Sequence, residues 1–228
     1  MIRRLSWLGL EVSSLARTRR FYGHLLGLAV VRESDDALRY VVGDTELRLA
    51  TVDAPTPGGR HVHYAFTTPP EEYERWLNQL SGTLDVEEHD FGVYRSMYFF
   101  DPDDHCVEIG TRGEQGTGLT GIFEIVLQVE SLDRAEKFYT RLASGVIDRG
   151  QERRRVRLDM EAFELELWEP QVGLAGARPG EDVALGIVIG QLDTLIANLS
   201  PLARTVEPAS TGYHVIDPDG HRLVLYGA

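Results

Sequence analysis

Residues 98–110 read Tyr98-Phe99-Phe100-Asp101-Pro102-Asp103-Asp104-His105-Cys106-Val107-Glu108-Ile109-Gly110. Asp101 and Pro102 suit the first positions of a type I turn, so the stretch reads as two antiparallel strands around a tight turn. In the second strand side chains alternate between faces. Cys106 and Glu108 share one face, Val107 and Ile109 the other. A carboxylate in mid-strand backed by apolar residues must look into water, a cavity or a cation.

Working outward, the same turn recurs. Asp101-Pro102-Asp103-Asp104-His105 returns as Asp217-Pro218-Asp219-Gly220-His221, 116 residues on. Further upstream, the segment from Val12 to Tyr22, which ends in Phe21-Tyr22, returns from Val129 to Tyr139 at an offset of 117, ending in Phe138-Tyr139. Leu25 returns as Leu142 at the same offset. The chain is therefore an internal duplication, with the Gly/Thr-rich residues 113–118 as its linker. The expected domains are 1–113 and 119–228.

Each half divides again into a strand, a helix and three strands, giving units at 1–60, 61–113, 119–180 and 181–228. The first unit predicts a strand at Trp7–Val12, a helix near Leu15–Leu26, and strands near 29–33, 38–42 and 46–52. The second predicts a strand at 61–66 and a helix within 70–80, where Pro70 suits a first helical turn. Alternation in the opening strands puts Leu8, Leu10, Val12, then Val62, Tyr64, Phe66, then Phe123, Ile125, Leu127, Val129 toward the helices. The opposite faces carry Trp7, Gly9, Glu11; His61, His63, Ala65; and Glu124, Val126, Gln128. These less apolar faces are expected to line a concavity.

Composition narrows the function classes. The chain has 228 residues, 43% hydrophobic and 26% charged, which is ordinary for a globular protein. A formal charge of -13 argues against nucleic acid or an anionic membrane as the main partner. Cys106 is the single cysteine, so no intrachain disulfide forms and a reducing compartment fits. No apolar run approaches a membrane span and no signal-peptide core follows Met1, so the expectation is a soluble, cytoplasmic protein.

Phe21-Tyr22 and Phe138-Tyr139, the segment His63-Tyr64-Ala65-Phe66, and the two Asp-Pro-Asp turns with their following strands resemble the vicinal oxygen chelate superfamily. That superfamily comprises glyoxalase I, bleomycin-resistance proteins and extradiol dioxygenases, and the likeness covers nearly the whole chain. It implies an α+β fold of four βαβββ units, two tandem glyoxalase-like domains, forming cup-shaped mixed sheets with helices outside. It also implies metal ligands from the first and last strand of each unit. Those positions hold Trp7 and Arg48; His63 and Glu108; Glu124 and Glu166; Ala184 and Val224. If unit two pairs with three and one with four, one cup keeps His63, Glu108, Glu124 and Glu166 and the other keeps no ligand. That pairing is expected here, because pairing neighbours would leave two broken half-sites.

The resemblance then implies a divalent metal (Zn, Ni, Co, Mn or Fe) that chelates two adjacent oxygens of a small-molecule substrate while a neighbouring carbon loses its proton. Glu108 and Glu166 are the candidates for moving that proton. An extradiol ring-cleaving dioxygenase is the first rival; it requires two histidines, and Trp7 stands where one belongs unless His61 substitutes. A metal-free small-molecule binding protein of the bleomycin-resistance kind is the second. Cys106 reads as small buried filler, Trp7 as an aromatic plug, and His105 and His221 as residues of the turns. Four units complete both cups within one chain, so monomer and homodimer both fit.

Overall fold

The computed structural model describes residues 2–52, 62–112, 115–150, 154–170 and 183–228. His61 and residues 113 and 114 of the linker lie outside them. Unit one comprises β1 (Ile2–Val12), α1 (Leu15–Thr18) running into a π-helical stretch (Arg19–Leu25), β2 (Ala29–Glu33), β3 (Ala37–Val42) and β4 (Thr45–Thr51). Unit two comprises β5 (His63–Thr68), α2 (Pro70–Ser81), β6 (Glu87–Asp90), β7 (Arg95–Phe100) and β8 (Cys106–Thr111). Unit three follows with β9 (Gly121–Gln128), α3 (Leu132–Tyr139), β10 (Gly145–Arg149), β11 (Arg155–Asp159) and β12 (Glu164–Trp168). Unit four has β13 (Val183–Ile189), α4 (Leu192–Leu199), β14 (Thr205–Ala209), β15 (Gly212–Ile216) and β16 (Arg222–Gly227).

The units assemble into two eight-stranded mixed sheets. One runs β14-β15-β16-β13-β1-β4-β3-β2, the other β10-β11-β12-β9-β5-β8-β7-β6. Unit one thus pairs with four, and two with three. Each sheet draws one unit from either side of residues 113–118. Within every unit the first strand lies parallel to the last, as in β5 with β8 and β9 with β12. Across each sheet the two first strands meet antiparallel, β1 with β13 and β5 with β9. We call these the Trp7 sheet and the His63 sheet.

Helices cover the apolar faces. In α2, Pro70 takes the first turn, Glu71 and Glu72 complement the positive end of the helix, and Tyr73, Trp76 and Leu80 are buried. The π-helical stretch closes with the Leu26 amide donating to the Phe21 carbonyl five residues back, at 2.9 Å. Leu8, Leu10, Val12, Val62, Tyr64, Phe66, Ile125, Leu127 and Val129 all join the buried core. Phe123 departs from the expected alternation. The ladder between β5 and β9 slips between Ala65–Glu124 and Phe66–Ile122. The extra residue lets Ile122 take the core place and swings Phe123 against Gly110, on the face that carries Glu108.

Both Asp-Pro-Asp turns are latched alike. Asp101 Oδ1 accepts the amides of Asp103 and His105, and Oδ2 accepts the Tyr22 hydroxyl at 2.7 Å and meets His105 Nδ1 at 2.9 Å. Asp217 Oδ1 accepts the amides of Asp219, Gly220 and His221, and Oδ2 accepts the Tyr139 hydroxyl at 2.9 Å and meets His221 Nδ1 at 2.8 Å. His105 and His221 are buried members of these latches. Burial alone raises the pKa of each aspartate, but the histidine and tyrosine contacts outweigh it and hold both below the usual carboxylate range. The turns thereby tie β8 and β16, the strands that follow them, to the helical Tyr22 and Tyr139.

Candidate metal centre

Strand register sets the geometry of the His63 sheet. Ala65 lies opposite Glu108 on one side and Glu124 on the other, so two carboxylates flank one methyl group. His63 sits two residues along β5, on the same face. His63 Nε2 lies 3.1 Å from Glu108 Oε2 and 3.6 Å from Glu124 Oε1. Ligand atoms of His63, Glu108 and Glu124 all fall within 4.8 Å of one another, the sole such group of three among the described residues. The three are 5%, 2% and 5% exposed, so their charges have little water to hydrate them.

The outer atoms of the two carboxylates are held by other side chains. Ser96 donates to Glu108 Oε1, leaving Oε2 to face the cluster. Arg157 approaches Glu124 Oε2 at 3.5 Å, leaving Oε1 to face it. The His63 ring lies between Tyr98, with centroids 5.7 Å apart, and Trp168, at 6.2 Å, both near parallel. Its Nδ1 is 3.2 Å from Cys106 Sγ. Burial opposes charge on His63, but the contacts with Cys106, Glu108 and Glu124 outweigh it and raise its pKa well above the usual imidazole range. One imidazole nitrogen and two carboxylates, buried, convergent and tied from behind, fit a divalent first-row cation.

Glu166 lines the same cup and is 1% exposed. Its register is clear: Glu166 lies beside Val126 as Arg48 lies beside Gly9 in the other sheet. Its carboxylate, however, is occupied. Arg157 and Trp168 donate to it, and Arg155 Nη1 reaches both oxygens at 3.2 and 3.3 Å. Burial pulls the Arg157 pKa down, yet Glu166 and Glu124 together drive it above the ordinary guanidinium value, so Arg157 stays a fixed cation.

A cavity of about 760 Å³ opens on the cluster, walled by His63, Cys106, Tyr98, Trp168, Phe91 and Phe100 among others. A second, of about 400 Å³, shares His63, Tyr98, Phe91 and Trp168 and adds Glu124, Arg155, Arg157 and Glu166. Burial and the neighbouring Glu108 and Glu124 charges raise the Tyr98 phenol, so it faces both spaces as a neutral group. Sequence reading did not single out Arg155, Arg157, Tyr98, Trp168 or Ser96. The signal was the Arg155, Arg157 alternation with Val156 and Leu158, which places two guanidinium groups on the Glu166 face.

The Trp7 sheet holds the equivalent row Trp7–Gly186–Val224, with Ala184 in place of His63. Trp7 is 7% exposed and donates from Nε1 to the Tyr226 hydroxyl at 3.0 Å. Arg48 lies over its ring at 4.5 Å, itself paired with Glu46 at 2.8 Å. A side chain at position 186 would place its Cβ 2.0 Å from Trp7 Nε1, so glycine there makes room for the indole. This cup is plugged.

Residues 4–109 match the family model described as Glyoxalase/Bleomycin resistance protein/Dioxygenase superfamily. Over 118 residues the chain is 30% identical to Metallothiol transferase FosB of Staphylococcus saprophyticus, spanning 49% of this chain and 78% of that protein. Over 116 residues it is 31% identical to Glutathione transferase FosA of Serratia marcescens, spanning 48% of this chain and 81% of that one. The fold is similar to that of glyoxalase I from Zea mays, with a TM-score of 0.70 and 20% identity, covering 98% of this chain and 92% of the other. No described helix is long and apolar enough to cross a membrane.

Proposed function

This chain belongs to the Glyoxalase/Bleomycin resistance protein/Dioxygenase superfamily, and from that premise we propose a divalent-metal enzyme acting on a small molecule in the His63 cup. The observation that carries this reading is the convergence of His63 Nε2, Glu108 Oε2 and Glu124 Oε1 while the outer atoms of both carboxylates are tied to Ser96 and Arg157. These three residues would hold the cation. When bound, it supplies Lewis acidity toward a substrate oxygen. Ser96 and Arg157 keep the carboxylates from turning away, and the aromatic walls keep bulk water from the reacting atoms.

For the reaction, we favour transfer of a thiol to a small electrophile. The thiol-transferase relatives FosB and FosA support it, and so does Glu166, whose two oxygens are engaged by three donors. In such a transfer the thiol sulfur bonds the electrophilic carbon, and the proton passes to the oxygen that the carbon releases. A glyoxalase-type isomerisation is the second reading, favoured by Glu108 Oε2, which faces the cluster and is placed to take a proton from carbon. The extradiol reading asks for two histidines and one carboxylate, the reverse of the donor set here.

Elemental analysis of protein purified without chelator should find close to one equivalent of a divalent metal; none at all overturns the enzyme reading. The metal-loaded protein is then assayed with glutathione plus a panel of epoxides, and separately with hemithioacetals of 2-oxoaldehydes. Thiol consumption that survives Glu166→Gln supports transfer. Isomerisation of the hemithioacetals with no thiol consumed would replace it with the second reading.

A further inference from the structure

Every contact behind the cluster except one comes from a group of familiar type. Ser96 holds the outer oxygen of Glu108 and Arg157 that of Glu124. The group behind His63 is a thiol. Cys106 lies opposite His63 in the parallel ladder of β5 and β8. Its Sγ is 3.2 Å from His63 Nδ1, both side chains are buried, and Cys106 also lines the 760 Å³ cavity. Metal-binding histidines usually rest their second nitrogen on a carboxylate, a carbonyl or water. Here sulfur takes that place.

We infer that Cys106 is a positioning residue for His63, its sulfur accepting the Nδ1 proton so that Nε2 presents a lone pair to the cation. The inference rests on the metal reading above and extends it to a residue outside the ligand set.

The argument is one of tautomers. A neutral imidazole carries one proton, and only its bare nitrogen can bind a metal. Nε2 of His63 lies beside two carboxylate oxygens, at 3.1 and 3.6 Å, which attract a proton to that nitrogen. With no acceptor at Nδ1, the neutral ring would keep its proton on Nε2, where the ligand lone pair is required. An acceptor 3.2 Å from Nδ1 balances that preference and holds the proton on the far side of the ring. Tyr98 and Trp168 fix the ring plane by stacking but offer Nδ1 no acceptor. On the Nδ1 side of the ring the in-plane contact comes from Cys106.

The test compares Cys106→Ala, which removes the acceptor, with Cys106→Ser, which keeps one on a shorter reach. Full-length chains with matched thermal unfolding are titrated with Co(II) and followed by its visible bands. In parallel, the ¹⁵N resonances of His63 are assigned in the metal-free chains by their loss in His63→Gln and followed across pH to the neutral ring. Cys106→Ala is expected to bind Co(II) about 10- to 100-fold more weakly than the parent, with Cys106→Ser closer to it. The neutral ring should carry its proton on Nδ1 in the parent and on Nε2 in Cys106→Ala. Equal Co(II) affinity in all three chains, or equal loss in both variants, overturns the inference. Should the parent bind no Co(II), the metal reading fails by itself. The nitrogen spectra then decide on Cys106, and an unchanged tautomer in Cys106→Ala overturns its role.

Discussion

The two sheets share a blueprint down to strand register, yet one gathers His63, Glu108 and Glu124 at its centre and the other fills its centre with an indole. The row Glu124–Ala65–Glu108 corresponds to Trp7–Gly186–Val224. The difference lies in which group must be satisfied. Buried carboxylates without a cation carry a large desolvation cost, so a cup that keeps them is built to receive charge. A cup without them is most stable when filled, because a void leaves its lining without contact partners. Trp7 and the absent side chain at Gly186 are the two halves of that filling.

The sharpest way to break the comparison is to remove a ligand. His63→Ala or Glu108→Gln should weaken metal binding by more than about 100-fold, since changes behind a ligand alone cost 10- to 100-fold. The parent should also gain about 2.7 kcal/mol of stability at a metal concentration 100 times its dissociation constant, and these variants less than about 0.4 kcal/mol at the same concentration. Changing Ala184 or Val224, at the matching places in the Trp7 sheet, should leave metal affinity unaltered. Calorimetric titration reads both arms. Metal uptake that is indifferent to position 63 and sensitive to position 224 would invert the assignment of the two cups.

Next in size is the plug. Trp7→Ala should cost about 3–5 kcal/mol in denaturant unfolding while leaving Co(II) affinity unchanged, because the metal cluster lies on the other sheet. Gly186→Ala should cost at least about 1–3 kcal/mol through overpacking against the indole. Combined with Trp7→Leu, the Gly186→Ala penalty should shrink, since a smaller side chain leaves space for the methyl group. Strict additivity of the two changes would show that Trp7 does not fill the place that Gly186 vacates.

Much of this contrast was legible in the chain itself. The repeated Phe-Tyr pairs and Asp-Pro-Asp turns disclosed the four units, and alternation placed His63, Glu108 and Glu124 on less apolar faces. The pairing of unit two with three followed from where ligand-capable residues had collected. Two things were not legible. The slip in β9 that turns Phe123 out of the core involves one residue and leaves no trace in an alternating apolar strand. The engagement of Glu166 by Arg155, Arg157 and Trp168 depends on which way long side chains turn, and a β-strand pattern fixes the face without fixing the rotamer.

Where the sheets agree, acid should act on both alike. Asp101 and Asp217 have folded pKa values held below the usual range by their histidine and tyrosine partners, despite burial that pushes the other way. A depressed carboxylate stabilises the fold above its unfolded value of about 3.9, and that stabilisation is lost as pH falls through the folded value. Asp101→Asn and Asp217→Asn should each cost about 1.5–3 kcal/mol at neutral pH, and each should flatten the fall in stability below about pH 4. Unfolding curves across pH 2–7 check this. A large acid effect confined to one turn would mean that only one latch carries charge.

The smallest effect separates the latches at their fourth position. Asp104 has φ of 64° and Gly220 of 110°. The first lies in the left-handed region that aspartate tolerates, and the second beyond it, where a side chain is strained. The backbone explains the difference. Both fourth-position amides donate to the carbonyl of the first aspartate, Asp104 at 3.1 Å and Gly220 at 3.3 Å, but the Gly220 amide also reaches Asp217 Oδ1 at 2.6 Å. Gly220→Asp should therefore cost about 1–3 kcal/mol in unfolding free energy. Asp104→Gly relieves a left-handed penalty but adds freedom to the unfolded chain, two terms of about 1 kcal/mol that oppose each other. Its net change should stay within about 0.5 kcal/mol, and equal costs for the two substitutions would show that the third amide contact of the second turn does not depend on glycine.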